Sequence, residues 1–120
     1  MSSENNAERV VMACVEAINK GDFKTARQYV SDDLSFVGVL GSREGAHAYF
    51  NDMERVRLKY GVKKIFVAGQ DVCILSDLNM SGTIVFCCSW YQVANGRIRS
   101  LRVVFDPRPI LEASSKSASR

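Results

Sequence analysis

Several features are missing from this chain, and each absence closes a class of explanation. No apolar run approaches the about 18 residues that a membrane span needs. The opening residues, 1–8, contain neither a basic nor an apolar region, so no signal peptide is read there. Only one His and four Cys are present, and the cysteines show no CxxC spacing. Cys87 and Cys88 are neighbours in an extended stretch, so their side chains point to opposite faces and cannot grip one ion. We therefore expect no metal and no cofactor, with the thiols kept in a reducing, cytoplasmic setting. Asn79, Met80 and Ser81 match a glycosylation sequon, which carries no weight without a secretion signal. A net charge of +3 is too mild to imply nucleic acid, and no membrane partner is expected either.

What is present suits one globular domain of 120 residues, 47% apolar and 24% charged, with no internal repeat. Such a length buries enough surface to fold without disulfides. The clearest local signal lies between Gly82 and Pro107. Two runs rich in β-branched and aromatic residues flank Asn95-Gly96, a strong hairpin signature. From Ile84 to Tyr91 the first run is apolar, or small and uncharged, on both faces. One face must meet the core of the molecule and the other must be covered by something else.

Upstream, residues 7–19 place Val11, Cys14, Val15 and Ile18 on one helical stripe. Gly21 ends that helix, and Asp22 caps a short second one carrying Phe23, Ala26 and Val30. A strand is expected over 34–40. Ser42 can cap a third helix, on which Ala46, Tyr49, Phe50, Met53, Val56, Arg57 and Tyr60 follow helical spacing. Arg55, Arg57 and Lys59 crowd its end, where cations suit the helix dipole; an anion or nucleic-acid site is the other reading. Four strands follow, over 62–68, 71–80, 83–94 and 97–106, and Pro107 and Pro109 stop the last. The pattern is α+β: a cone-shaped, curved antiparallel or mixed β-sheet wrapped around three N-terminal helices, with a hollow at its wide end.

Certain segments carry a family likeness. Cys14 to Phe23, Asp32 to Phe36, Gly41 to Ala46 and Arg99 to Pro107 resemble the nuclear transport factor 2-like superfamily. That group includes steroid delta-isomerases, SnoaL-like polyketide cyclases and ligand-binding proteins. The resemblance implies a cystatin-like α+β barrel over residues 7–112, with 113–120 a disordered tail. It also implies a site, but the steroid-isomerase residues do not carry over. Cys14 stands at the position of the catalytic tyrosine, Gly38 at that of the general base, and Ser89 at that of the proton-donating acid. Isomerisation by that mechanism is not expected.

Hairpin register decides which face lines the hollow. A two-residue turn sets Ser89 beside Arg102, whereas a three-residue loop with Gly96 as its left-handed residue sets Ser89 beside Leu101. Since the resemblance sends Leu101, Val103 and Phe105 inward, we take the three-residue loop. Thr83, Val85, Cys87, Ser89 and Tyr91 then share that inner face, with small residues at 87 and 89 leaving room and Tyr91 near the mouth. The outer face shows Ile84, Phe86, Cys88 and Trp90, a stripe we read as a homodimer interface.

The expected function is the binding of a small organic molecule in a mostly apolar pocket formed by Cys14, Phe36, Tyr49, Phe50, Met53, Cys87, Ser89, Tyr91, Leu101, Val103 and Phe105. The alternative is a proton-transfer enzyme of isomerase or cyclase type, with Asp77 or Asp106 as base. Asp77 interrupts an apolar strand, and burial there lifts a carboxyl pKa toward the working range; facing outward, it is a solvated or paired carboxylate. Asp106 either acts in the pocket or caps the turn and pairs with arginine. His47, the sole histidine, falls on the solvent side of its helix. Arg99 either holds an anionic ligand at the mouth or reaches solvent. A third reading is a protein-interaction module gripping a partner by the sheet or the pocket rim.

Overall fold

The computed structural model describes residues 3–118, with side chains described over 6–113. In chain order the elements are α1 (Ser3–Asn19), α2 (Phe23–Arg27), β1 (Val30–Gly38), β2 (Gly41–Glu44), α3 (Ala46–Arg55), β3 (Lys59–Ala68), β4 (Asp71–Met80), β5 (Thr83–Ala94), β6 (Arg97–Phe105) and α4 (Arg108–Ala118). The six strands form one curved, unclosed sheet in the order β2-β1-β6-β5-β4-β3. All neighbours are antiparallel except β1 and β6, which run parallel. Helix α1 lies along β3 and β4, and α3 lies on β1, so the helices occupy the concave side. This is the α+β cone that the sequence pattern implies.

Local chemistry explains the early elements. The α1 stripe of Val11, Cys14, Val15 and Ile18 is fully buried, as its spacing predicts. The Asp22 carboxylate accepts a hydrogen bond from the Thr25 N–H at 3.1 Å and caps α2. That bond also holds the Asp22 carboxyl below its usual pKa. On β4, buried Val72, Ile74, Ser76 and Leu78 alternate with outward-facing neighbours, the period of a strand with one wet face. Ile18, Leu34, Ile74, Ile98 and Leu101 are the largest fully buried side chains at the centre of the core.

The boundaries differ from the sequence reading in four places. Strand β1 begins at Val30 rather than residue 34, and it folds back on β2, a short strand in the stretch read as a helix start. Consequently α3 is preceded by Gly45 at φ 95° rather than capped by Ser42. The helix stops at Arg55, and Lys59 already belongs to β3, so Tyr60 is a strand residue. The Asn19 side chain explains this early strand start. Its Oδ1 accepts from the Tyr60 N–H at 2.7 Å and its Nδ2 donates to the Tyr60 carbonyl at 3.0 Å, pinning β3 to the end of α1. Finally, α4 runs from Arg108 to Ala118, through much of the stretch read as a tail; residues 119–120 lie outside the described residues. No helix among the described residues is long and apolar enough to cross a membrane.

Hairpin β5–β6 corrects the loop and keeps the faces. Ala94 pairs with Arg97, so the turn has two residues, and Asn95 and Gly96 both take positive φ, 53° and 76°. Without compensation that turn would put Arg102 inside. A register shift between Gln92 and Val93 adds one residue on β6 around Arg99, after which Ser89 pairs with Val103 and Tyr91 with Leu101. The bulge restores the parity that the loop removed. Leu101 and Val103 are buried, as the three-residue loop was chosen to achieve.

Candidate functional site

The concave side divides into a deep end and a mouth. At the deep end Tyr49 of α3, Tyr60 of β3 and Tyr91 of β5 converge, all at least nine-tenths buried. The Tyr91 and Tyr60 hydroxyls are 2.8 Å apart, and Tyr60 is bonded in turn to Tyr49. The Phe36 and Tyr49 rings meet at 5.0 Å. Burial, reinforced by the neighbouring phenols, raises all three tyrosine pKa values well above the ordinary range. Cys14 borders the same cluster. Its thiol donates to the Ala26 carbonyl at 3.6 Å, and burial pushes its pKa up to about 12, which makes it a poor nucleophile.

The space left there, about 10 Å³ between Cys14, Leu34, the three tyrosines and Leu101, holds about one water molecule at most. The small residues at 87 and 89 therefore do not open a deep cavity. Cys87 Sγ lies 3.4 Å from Ser76 Oγ and 3.7 Å from Ser89 Oγ, and this ladder is sealed from solvent. Tyr91 belongs to the deep end, not to the mouth.

The usable space is at the wide end. A pocket of about 210 Å³ lies between the β1–β2 turn, the end of α3, Met80 at the end of β4 and Phe105 at the end of β6. Phe36, Leu40, Met53, Met80 and Phe105 give it apolar walls. Arg43 and Asp52 supply its polar edge. The Arg43 Nε donates to Asp52 at 2.7 Å, and Arg55 donates to the other carboxylate oxygen at 3.1 Å. Gly38 forms part of the wall, and a Cβ placed there would meet the Phe36 ring at 3.0 Å. The position at which the family likeness would place a general base thus has no room for a carboxylate unless Phe36 moves.

Among the residues predicted to bind a ligand, Phe36, Met53 and Phe105 line the mouth, whereas Cys14, Tyr49, Tyr91 and Leu101 surround the residual void. Phe50, Cys87, Ser89 and Val103 are packed in the core and line neither space. The two carboxylates proposed as bases stand apart from both. Asp77 faces outward opposite Phe86 and pairs with Lys63 at 3.3 Å. Asp106 is exposed and held by Arg108 at 2.7 Å, a contact that lowers its pKa, the wrong direction for a base at neutral pH. His47 lies on the surface of α3, 3.2 Å from the Asn51 side chain. Arg99 lines a polar surface groove with Asp33 rather than the mouth. No group of three or more His, Cys, Asp or Glu among the described residues is placed to hold a metal.

Tyr60, Arg43, Asp52 and Met80 escaped the sequence reading. Tyr60 was assigned to a helix, and the hairpin that brings Arg43 to Asp52 was read as a helix cap. The recoverable signal for Tyr60 is the alternation of Val56, Leu58 and Tyr60 with Arg57 and Lys59 ahead of Gly61, the period of a strand. A larger surface hollow of about 470 Å³ lies between α1 and the Asn95–Gly96 turn. It shares no residue with the mouth and is bounded by a helix whose first side chains lie outside the described residues.

On the convex side Ile84, Phe86 and Trp90 are 58%, 56% and 39% exposed, and Val104 beside them is 64% exposed. Trp90 Nε1 donates to Asp71 at 2.8 Å, which fixes the indole against the sheet.

This scaffold matches the SnoaL-like domain family over residues 11–101, and the chain belongs to that family. An NTF2-like protein of unknown function from Cytophaga hutchinsonii is 38% identical, with a TM-score of 0.86 over 88% of this chain and 94% of that one. An LEH-like epoxide hydrolase from M. tuberculosis is 24% identical, with a TM-score of 0.74 over 91% and 89% of the two chains. A de novo designed protein with a curved β-sheet reaches 0.74 at 22% identity, covering 90% of each chain. That an enzyme and a designed protein share this scaffold shows how little chemistry the fold alone specifies. No curated protein sequence matches the chain.

Proposed function

We propose that this protein binds a compact, mostly apolar organic molecule at the wide end of its cone. The observation that carries the reading is the contrast between a filled interior and an open pocket of about 210 Å³ walled by Phe36, Leu40, Met53, Met80 and Phe105. The volume is below the roughly 300–1,000 Å³ of drug-sized sites, which favours a small ligand. Arg43 and Asp52, each a neighbour of the apolar wall, would orient one polar group at the rim. Proton-transfer chemistry receives less support, because Asp77 and Asp106 lie outside the pocket and the interior offers phenols and thiols with raised pKa values. A cytoplasmic setting fits a chain with four free thiols.

The test is a thermal-shift and calorimetric screen of small cyclic ketones, lactones and epoxides. A binder should lose at least tenfold affinity in Met53→Trp, which fills the pocket. Equal affinity in that variant overturns the assignment.

We also propose that two copies meet through the convex face. Ile84, Phe86, Trp90 and Val104 are exposed apolar side chains on neighbouring strands, interspersed with Asp71, Asp77 and Arg102, and a two-fold axis over them would let each copy cover the other. Trp90→Glu should convert the dimer to monomer in sedimentation velocity. A native protein that is monomeric at micromolar concentration rejects the dimer and leaves the patch to a different partner.

A further inference from the structure

The basic residues after α3 form a hollow that the ligand pocket does not use. Arg55, Arg57, Lys59, Asn79 and Ser81 surround about 460 Å³ of open space beside the β4–β5 turn. Arg55 lies in the last turn of α3, Arg57 one position beyond its cap, and Lys59 on the last carbonyl of α1, so helix ends favour all three cations, and all three converge on one hollow. Arg57 makes no ion pair or side-chain hydrogen bond among the described residues. Lys59 donates to the carbonyl of Asn19, the last residue of α1, at 2.8 Å, so the helix end offsets part of its charge and no carboxylate among the described residues pairs with it. No acidic side chain lines the hollow.

Its backbone is fixed by the closure of α3, where the Arg57 N–H donates to the Glu54 carbonyl and the Leu58 N–H to the Met53 carbonyl, both at 3.1 Å. Arg57 and Ser81 take φ of 53° and 52°, the left-handed region that residues with a side chain seldom adopt. They are locked to one another through the Val56 carbonyl, which accepts from the Ser81 N–H at 2.7 Å and the Ser81 hydroxyl at 3.0 Å. Asn79 Oδ1 accepts from the Gly82 N–H at 2.8 Å, which ties the side chain of this lining residue to the β4–β5 turn.

We propose that this hollow binds the phosphate groups of a small organic phosphate. One cation without a carboxylate partner, a second held only by a helix end and a third shared with Asp52 match a multiply charged anion better than a single carboxylate. A guanidinium also engages phosphate oxygens in pairs.

Calorimetry with sodium pyrophosphate tests this, using the full chain and the variants R57G and R57K. Glycine suits the left-handed backbone, so R57G should keep or raise the melting temperature while lowering pyrophosphate affinity at least tenfold. R57K should fall between the two. Affinity should also weaken steeply with sodium chloride, because the contact is ionic. Pyrophosphate bound equally by R57G and native protein overturns the proposal. So does retention on phosphatidylglycerol vesicles without saturable pyrophosphate binding, which would assign the cations to a lipid surface.

Discussion

The deep end and the mouth of the same concave sheet are built from similar residues and reach opposite outcomes. At the deep end three phenols, Cys14 and Leu101 close to within the space of one water. At the mouth Phe36, Met53, Met80 and Phe105 stand apart around a pocket some twenty times larger. The difference follows from where the helices end. Helix α1 and Tyr49 of α3 press into the narrow part, whereas α3 finishes at Arg55 and the β1–β2 turn only rims the wide part. A curved sheet creates room in proportion to what fails to fill it.

The comparison predicts where substitutions act. Ile98→Ala or Leu101→Ala, both at fully buried positions of β6, should each cost about 2–5 kcal/mol in denaturant unfolding. A cost below about 1 kcal/mol would mean that the deep end is not packed as described. At the mouth, Phe105→Ala should weaken ligand binding by about tenfold, near 1.4 kcal/mol, with a smaller loss of stability. A stability loss as large as that of Leu101→Ala would erase the distinction between the two ends.

Tyr91→Phe removes one member of the phenol chain and should cost about 1 kcal/mol. It should also change the alkaline response. The phenol pKa values are raised above 10.0 in the fold, so the folded state holds these protons longer than the unfolded chain does. Their contribution is complete below that ordinary value and is lost as the pH rises through it, with Cys14 acting likewise between 9.0 and about 12. Denaturation midpoints measured from pH 8 upward should therefore fall, and fall less steeply in Tyr91→Phe. An unchanged slope would deny the phenols this role. The smallest effects belong to Asp77→Asn and Asp106→Asn, which lie outside both regions and should leave ligand affinity unchanged.

Much of this architecture was legible in the sequence because it rests on periodicity. The α1 stripe, the Asp22 cap, the alternation of β4 and the two faces of β5 all follow from spacing that burial enforces. The three-residue loop does not form, yet the faces come out right, since the family likeness already sends Leu101 and Val103 inward and the bulge at Arg99 accommodates the shorter turn. What stayed hidden depended on single long-range contacts. Nothing in the local pattern announces that the Asn19 side chain will pin β3 to the end of α1, or that Gly41–Glu44 will pair with β1 before α3 begins. The deep cavity was lost for that reason: Tyr60 was counted on a helix, and its phenol is one of the three groups that occupy the space.

The parallel pairing of β1 with β6 has a consequence for how the protein is made. β1 is synthesised well before its partner, so on the ribosome β1 has only β2 beside it until the residues of β6 emerge. Its other edge, including Phe36, waits for the final hairpin to arrive. Synthesis that stalls before residue 97 would release a product with an open strand ready to recruit a neighbouring nascent chain.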